Sequence, residues 1–156
     1  MSTDESPTRA EDMFCYGVYA ASHVINRAYT PHLARLGLTY PQYITLVLLW
    51  ERDGQKVTEL AEKLRMKTST LTPLLQRLEA EGLVERRQDE QDRRAVVVNL
   101  TPRGRGLQDE APDITACMVR GTTLSRSELK RLRQLLEKLT TGLSAAQPRR
   151  PDRAAT

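Results

Sequence analysis

The sequence predicts a mainly α-helical protein with one small β-hairpin, and three observations carry that expectation. Apolar residues recur at three- and four-residue spacing through most of the 156-residue chain. Aromatic residues make up only 4 % of it, a balance that suits helices better than a sandwich or barrel. One region alone, Leu83 to Leu100, holds two short strand-like runs around a charged tip.

Taken in order, the first helix is expected to start with Ser6 as N-cap and Pro7 at the first helical position. It should run to about Tyr29 and stop before Pro31, with Phe14, Val18, Ala21, Ile25 and Ala28 on one stripe. A short helix from Pro31 to Leu36 should end at Gly37. Thr39 to Gln42 then forms a capping box, Thr39 as N-cap and Gln42 three residues on. The run Ile44 to Glu51 is apolar nearly all round, which places its helix in the core.

Val57, Leu60, Ala61 and Leu64 mark the inner face of the next helix, and Arg65, Met66 and Lys67 the turn behind it. In the helix that follows, Leu71, Leu74, Leu75 and Leu78 fall within a narrow arc at 100° per residue. Ser69, Thr72, Pro73 and Gln76 fall opposite, flanked by Thr70 and Arg77. An ordinary solvated face would carry more Glu and Lys; here no acid appears until Glu79 and Glu81. Short hydrogen-bonding groups let a helix sink into a major groove, and Arg and Gln can reach base edges or phosphates. Gly82 ends the helix. Leu83 to Arg87 and Ala95 to Leu100 read as strands around the tip Gln88 to Arg94. An Arg at such a tip can enter the narrow minor groove, and Asp92 is placed to hold the Arg94 guanidinium extended. Alone, the hairpin could be a structural ribbon with solvated charges. Directly behind a helix pair it completes a winged helix-turn-helix over 57–101, a reader of double-stranded DNA.

Thr101 and Pro102 open another helix, expected to kink at Pro112 and stop at Gly121. Ser125 to Glu128 is a second capping box. The last helix carries Leu129, Leu132, Leu135, Leu136, Leu139 and Leu143 on one side. The terminal helices, 7–36 and 102–144, thus hold more apolar stripe than one small core needs. The expectation is a single domain over 7–144 that forms a homodimer through them, with packing on their own chain as the plainer alternative. Residues 1–6 are expected to be flexible, and the Pro/Arg-rich tail 145–156 disordered.

Formal charge is +4, which favours a polyanionic partner without proving one. No apolar run reaches the roughly 18 residues of a membrane span, and the polar, acidic N-terminus is no signal peptide. A cytoplasmic protein with reduced thiols is expected. Cys15 and Cys117, the two cysteines, lack metal-ligand spacing, and His23 and His32 do not complete a site, so neither metal nor cofactor is expected.

Both cysteines lie outside the DNA-reading module, which suggests a switch. Tyr19, Ser22, Asn26 and Tyr29 follow Cys15 along its stripe of the first helix. A phenol hydroxyl can donate to a thiolate, the form that attacks peroxide. With the helix starting at Pro7, Cys15 would sit in the third turn, out of reach of the helix dipole. The plainer reading is a small buried hydrophobe, and Cys117, among Ile114, Ala116 and Met118, reads as core.

Over roughly Asp12 to Leu143 the chain resembles the MarR family of winged-helix regulators, and within it the organic-hydroperoxide sensors of the OhrR group. The segments that carry the resemblance are FCYGVYAAS around Cys15, LTYPQYITLVLLWE from Leu38, STLTPLLQRLEAEGLV from Ser69, and Asp92-x-Arg94 followed by Leu100-Thr101. The resemblance implies that Cys15 is the peroxidatic thiol, with Tyr29 and Tyr40 approaching it from the partner subunit and Tyr19 close by. It implies a reduced dimer that represses from a palindromic operator until organic hydroperoxide oxidises Cys15. One branch of the group closes an intersubunit disulfide to a second cysteine, whose place Cys117 takes; the other uses small external thiols. Two other readings stay open: a repressor gated by a small phenolic ligand, with Trp50 and the tyrosines lining a pocket, and a thiol peroxidase.

Overall fold

The computed structural model describes residues 9–146. Ser6, Pro7 and the tail from residue 147 lie outside that range. Contacts divide the chain into two compact units, the first ending at Met118 and the second beginning at Val119.

The described residues open on a 3-10 turn, Ala10–Asp12, and α1 covers Phe14–Ala34. Its N-cap is Met13, so the expected start at Pro7 is corrected. The expected break at Pro31 is also corrected, since α1 runs through it. The proline is exposed, so the carbonyl that its missing N–H leaves unbonded can take water. Two residues on, Leu33 is fully buried and draws the helix into the core. Leu38 N–H then donates to the Leu33 carbonyl at 3.2 Å, and Gly37 takes φ +68°, the left-handed cap that stops the helix.

Helix α2 (Tyr40–Glu51) opens on the expected capping box. Thr39 N–H donates to Gln42 Oε1 at 2.9 Å, and Gln42 N–H donates to Thr39 Oγ1 at 3.4 Å. Leu46 and Leu49 are fully buried. Next comes a strand the sequence did not suggest, β1 (Gln55–Lys56). Then follow α3 (Val57–Lys63), α4 (Thr68–Ala80), β2 (Val84–Gln88) and β3 (Val96–Leu100). The three strands form one antiparallel sheet in the order β1-β3-β2, with Gln55 opposite Val98 and Val84 opposite Leu100.

The core of this unit is Leu60 and Ala61 of α3, Leu71, Leu75 and Leu78 of α4, Leu83 just before β2, and Val84, Val98 and Leu100 of the sheet, joined to Leu46 and Leu49. Leu74 is only partly buried at its edge. Behind the sheet, Thr101 caps α5 (Pro102–Gly106) by accepting the Gly104 N–H at 3.0 Å. A Cβ on Gly104 would overlap the Leu83 carbonyl oxygen, so only glycine fits there. The expected single helix kinked at Pro112 is instead α5, a 3-10 turn (Leu107–Glu110) and α6 (Ala111–Gly121). Pro112 is the second residue of α6, where a proline costs little.

In the second unit, Ser125 and Glu128 form the expected box: Ser125 N–H donates to Glu128 Oε2 at 2.8 Å, and Glu128 N–H to Ser125 Oγ at 3.2 Å. Helix α7 is Arg126–Ala146, reaching two residues past the expected end at 144. Leu132, Leu135, Leu136 and Leu143 are exposed along it. No helix among the described residues is long and apolar enough to cross a membrane.

Candidate nucleic-acid interface and thiol site

Helices α3 and α4 are joined by a turn in which Arg65 takes φ +54° and Met66 N–H donates to the Ala61 carbonyl at 2.9 Å. That closure stops α3 and sends α4 off at a new angle. The leucines of α4 are held by the core, so its other face is left outside. Ser69, Thr70, Pro73, Gln76 and Arg77 are all exposed there, and Thr72 is half-buried. The residues expected to read DNA are thus accessible on the outer face of α4.

Two ion pairs tie the wing to the rest of the module, one to α4 and one to β1, and neither was foreseen. Glu79, in the last turn of α4, takes the Arg86 N–H at 2.9 Å on one carboxylate oxygen and the Arg86 guanidinium at 2.9 and 3.0 Å on the other. The backbone N–H, then the guanidinium, hold Glu79 below its ordinary carboxylate range. Lys56 Nζ of β1 lies 3.1 Å from Asp89 Oδ2 at the wing tip. Asp89 is lowered first by the Gln91 backbone N–H and next by Lys56, and Lys56 is raised by Asp89 in return. The available signal was an acid that ends α4 seven residues before an arginine on a strand.

Asp92 acts differently from expectation. Its carboxylate accepts the Arg94 backbone N–H at 3.1 Å, and its carbonyl accepts the Ala95 N–H at 2.8 Å. It shapes the main chain of the tip rather than pairing with the guanidinium, because the tight turn brings the amide nearer than the side chain. Arg94 lines a cleft between wing and helices with Val57, Thr58, Thr72, Arg86 and Val96.

The thiols lie elsewhere. Cys15 is exposed. It is the second residue of α1, so the expectation of a third-turn position is corrected: the sulfur sits in the first turn, at the positive end of the helix dipole. Tyr19, one turn on, is 64 % exposed, and its ring lies 4.5 Å from that of His23. Tyr29 and Tyr40 pack on each other at 4.5 Å, with Tyr43 at 5.9 Å from Tyr29 and Trp50 at 6.0 Å from Tyr43. Tyr29 lies fourteen helical steps beyond Cys15, roughly 21 Å, so one chain does not bring them together. Burial, then the neighbouring phenols, push Tyr29 up to about 12, and burial also raises Tyr40. Both phenols therefore stay protonated and remain donors. Cys117 is half-buried on α6, and neither cysteine is in a disulfide. Among the described residues no cluster of His, Cys, Asp or Glu could hold a metal.

Residues 38–96 match the MarR family. Over 128 residues the chain is 38 % identical to the organic hydroperoxide resistance transcriptional regulator of Bacillus subtilis strain 168, covering 82 % of this chain and 87 % of that protein. The chain belongs to the MarR family. It is also 47 % identical over 104 residues to the transcriptional regulator TtmR of Methylorubrum extorquens, covering 67 % of this chain and 53 % of that one. Among solved structures it resembles reduced AbfR bound to DNA, with a TM-score of 0.75 at 27 % identity over 92 % of this chain and 98 % of that one. As a member of the MarR family, the chain is a DNA-binding transcriptional regulator and not an enzyme.

Proposed function

We propose that this MarR-family chain works as a dimeric repressor that leaves its operator when organic hydroperoxide oxidises Cys15. The observation that carries the proposal is the thiol itself, exposed in the first turn of α1 with a phenol one turn away. In support, one relative is a regulator of organic hydroperoxide resistance, and AbfR has been solved reduced and overoxidised on DNA and in a disulfide form.

The chemistry is a two-electron transfer. The Cys15 thiolate attacks the terminal peroxide oxygen, the O–O bond breaks, and an alcohol leaves after taking up a proton. The product is a sulfenic acid, which a second thiol, Cys117 of the other copy or a small external one, converts to a disulfide with loss of water. The intrachain separation explains why two copies are needed. Tyr29 and Tyr40 reach Cys15 only from a partner laid alongside, and their protonated phenols then donate to the sulfur. Ser69, Thr70, Thr72, Gln76, Arg77 and Arg94 contact DNA, with Asp92 shaping the tip. Two α4 helices dock together only at a spacing of about one DNA turn, so oxidation that shifts them releases the operator.

The test is operator binding by reduced protein before and after stoichiometric organic hydroperoxide, with non-reducing electrophoresis of the same sample. Wild type is expected to release DNA and Cys15→Ser to stay bound. Equal release by both would sink the proposal. A dimer band reversed by dithiol assigns the second step to Cys117, and its absence to an external thiol. The packed tyrosines and Trp50 favour one other reading, gating by a phenolic ligand. That reading requires release by such a ligand from Cys15→Ser.

A further inference from the structure

Helix α4 keeps a proline in its middle. Pro73 is the sixth residue of Thr68–Ala80, it is exposed, and the helix continues through it. An interior proline weakens a helix, and a chain tends to depart from local propensity at functional positions. Its first effect is chemical. Pro73 has no N–H, so the helical bond onto the Ser69 carbonyl is not made, and the ring crowds that oxygen away from the axis. Ser69 lies on the exposed face.

The next effect concerns Thr72, which precedes the proline. Its hydroxyl donates to the Thr68 carbonyl at 2.8 Å. A threonine hydroxyl has one proton, so with that proton committed inward the oxygen offers only lone pairs outward. Ser69 O and Thr72 Oγ1 are three residues apart and share one side of the helix. They form two acceptors with no proton between them.

In a major groove, such a pair has few matches. Guanine N7 and O6 and thymine O4 are acceptors and are rejected. The donors are the exocyclic amino groups, adenine N6 and cytosine N4. We infer that α4 reads an exocyclic amino group in each half-site through the Ser69 carbonyl and Thr72 Oγ1, an acceptor pair created by Pro73. The inference rests on the DNA-reading role proposed above and adds the base chemistry that role selects. The specificity determinant is thus a main-chain oxygen, which no inventory of polar side chains would include.

The experiment uses full-length reduced protein and an operator selected by it from random-sequence duplex. Each adenine of the operator is replaced singly by purine, which lacks the N6 amino group, and each cytosine by pyrimidin-2-one, which lacks N4. Wild type is expected to lose roughly tenfold in affinity at one position of each half-site. Whether that position holds adenine or cytosine identifies the amino group. In Pro73→Ala the Ser69 carbonyl regains its helical partner, and the penalty at that position is expected to disappear. Thr72→Val, which keeps the shape without the acceptor, should reduce it, while Ser69→Ala should leave it intact. Pro73→Ala restores a favourable helix residue, and circular dichroism is the check that all three variants fold. The same penalty in wild type, Pro73→Ala and Thr72→Val overturns the inference while leaving DNA reading in place. Failure to select any operator overturns DNA reading, and this inference with it.

Discussion

At the scale of single residues, the position of Cys15 depends on where one helix begins. Ser6 and Pro7 make a good local start signal, yet α1 begins at Phe14. The seven-residue difference moves the thiol from mid-helix to the first turn. Capping preferences rank possible starts but do not choose among them, since burial further along the chain decides which start is used. Tyr29 gives a pH prediction. Its ordinary value is 10.0 and burial raises it to about 12, so the folded protein holds this proton after the unfolded chain has lost it. Stability from this group is complete below about pH 10 and falls as pH rises toward 12. Phenolate absorbance should show a late-ionising component, to which Tyr40 also contributes, that shrinks by one tyrosine in Tyr29→Phe, and the urea midpoint of wild type should drop over that window. A tyrosine titration with no late component would contradict the assignment.

At the scale of elements, the wing is held in place by Glu79. Its carboxylate joins the end of α4 to β2 through three hydrogen bonds to Arg86. Glu79→Gln keeps the shape and removes the charge. It should cost about 1 kcal/mol by urea unfolding, a value discounted for partial solvent exposure, and should weaken operator binding by more than the lost stability explains. Because this carboxylate is held below its ordinary value, its contribution is full above that value and is lost as pH falls beneath it. The variant should therefore show a flatter stability profile at acid pH. The sequence made much of this module legible. The leucines of α4 repeat at helical period, and both capping boxes are four-residue patterns that need no tertiary context. Strand β1 was not legible. Two residues, Gln55 and Lys56, carry no periodicity, and they become a strand only by pairing with Val98 and Val97. Nor was the path through Pro31, because a rule about one residue gave no weight to Leu33 buried two positions later. Asp92 was placed at the right position of the tip with the wrong partner, since sequence spacing does not tell a backbone amide from a guanidinium.

At the scale of the molecule, each unit separately leaves a helix with an uncovered apolar face. On α1, Phe14, Val18, Val24 and Ile25 are exposed, Phe14 by 66 %; on α7, Leu132, Leu135, Leu136 and Leu143 are. Patches of this kind mark surfaces that another chain covers. A second copy of this chain is the expected cover. Sedimentation should then give a dimer, and Leu136→Arg should shift it toward monomer and abolish operator binding, since two half-sites need two copies. A wild-type monomer that still binds its operator tightly would contradict this. The joint between α2 and α5 has a practical consequence. The chain has a single tryptophan, Trp50, and its indole N–H donates to the Gly104 carbonyl at 2.9 Å. An indole that exchanges a fixed carbonyl for mobile water changes the colour and intensity of its fluorescence. The protein thus carries an unlabelled optical gauge at that joint, and emission followed in a stopped-flow mixer would time any rearrangement there against the oxidation proposed for Cys15.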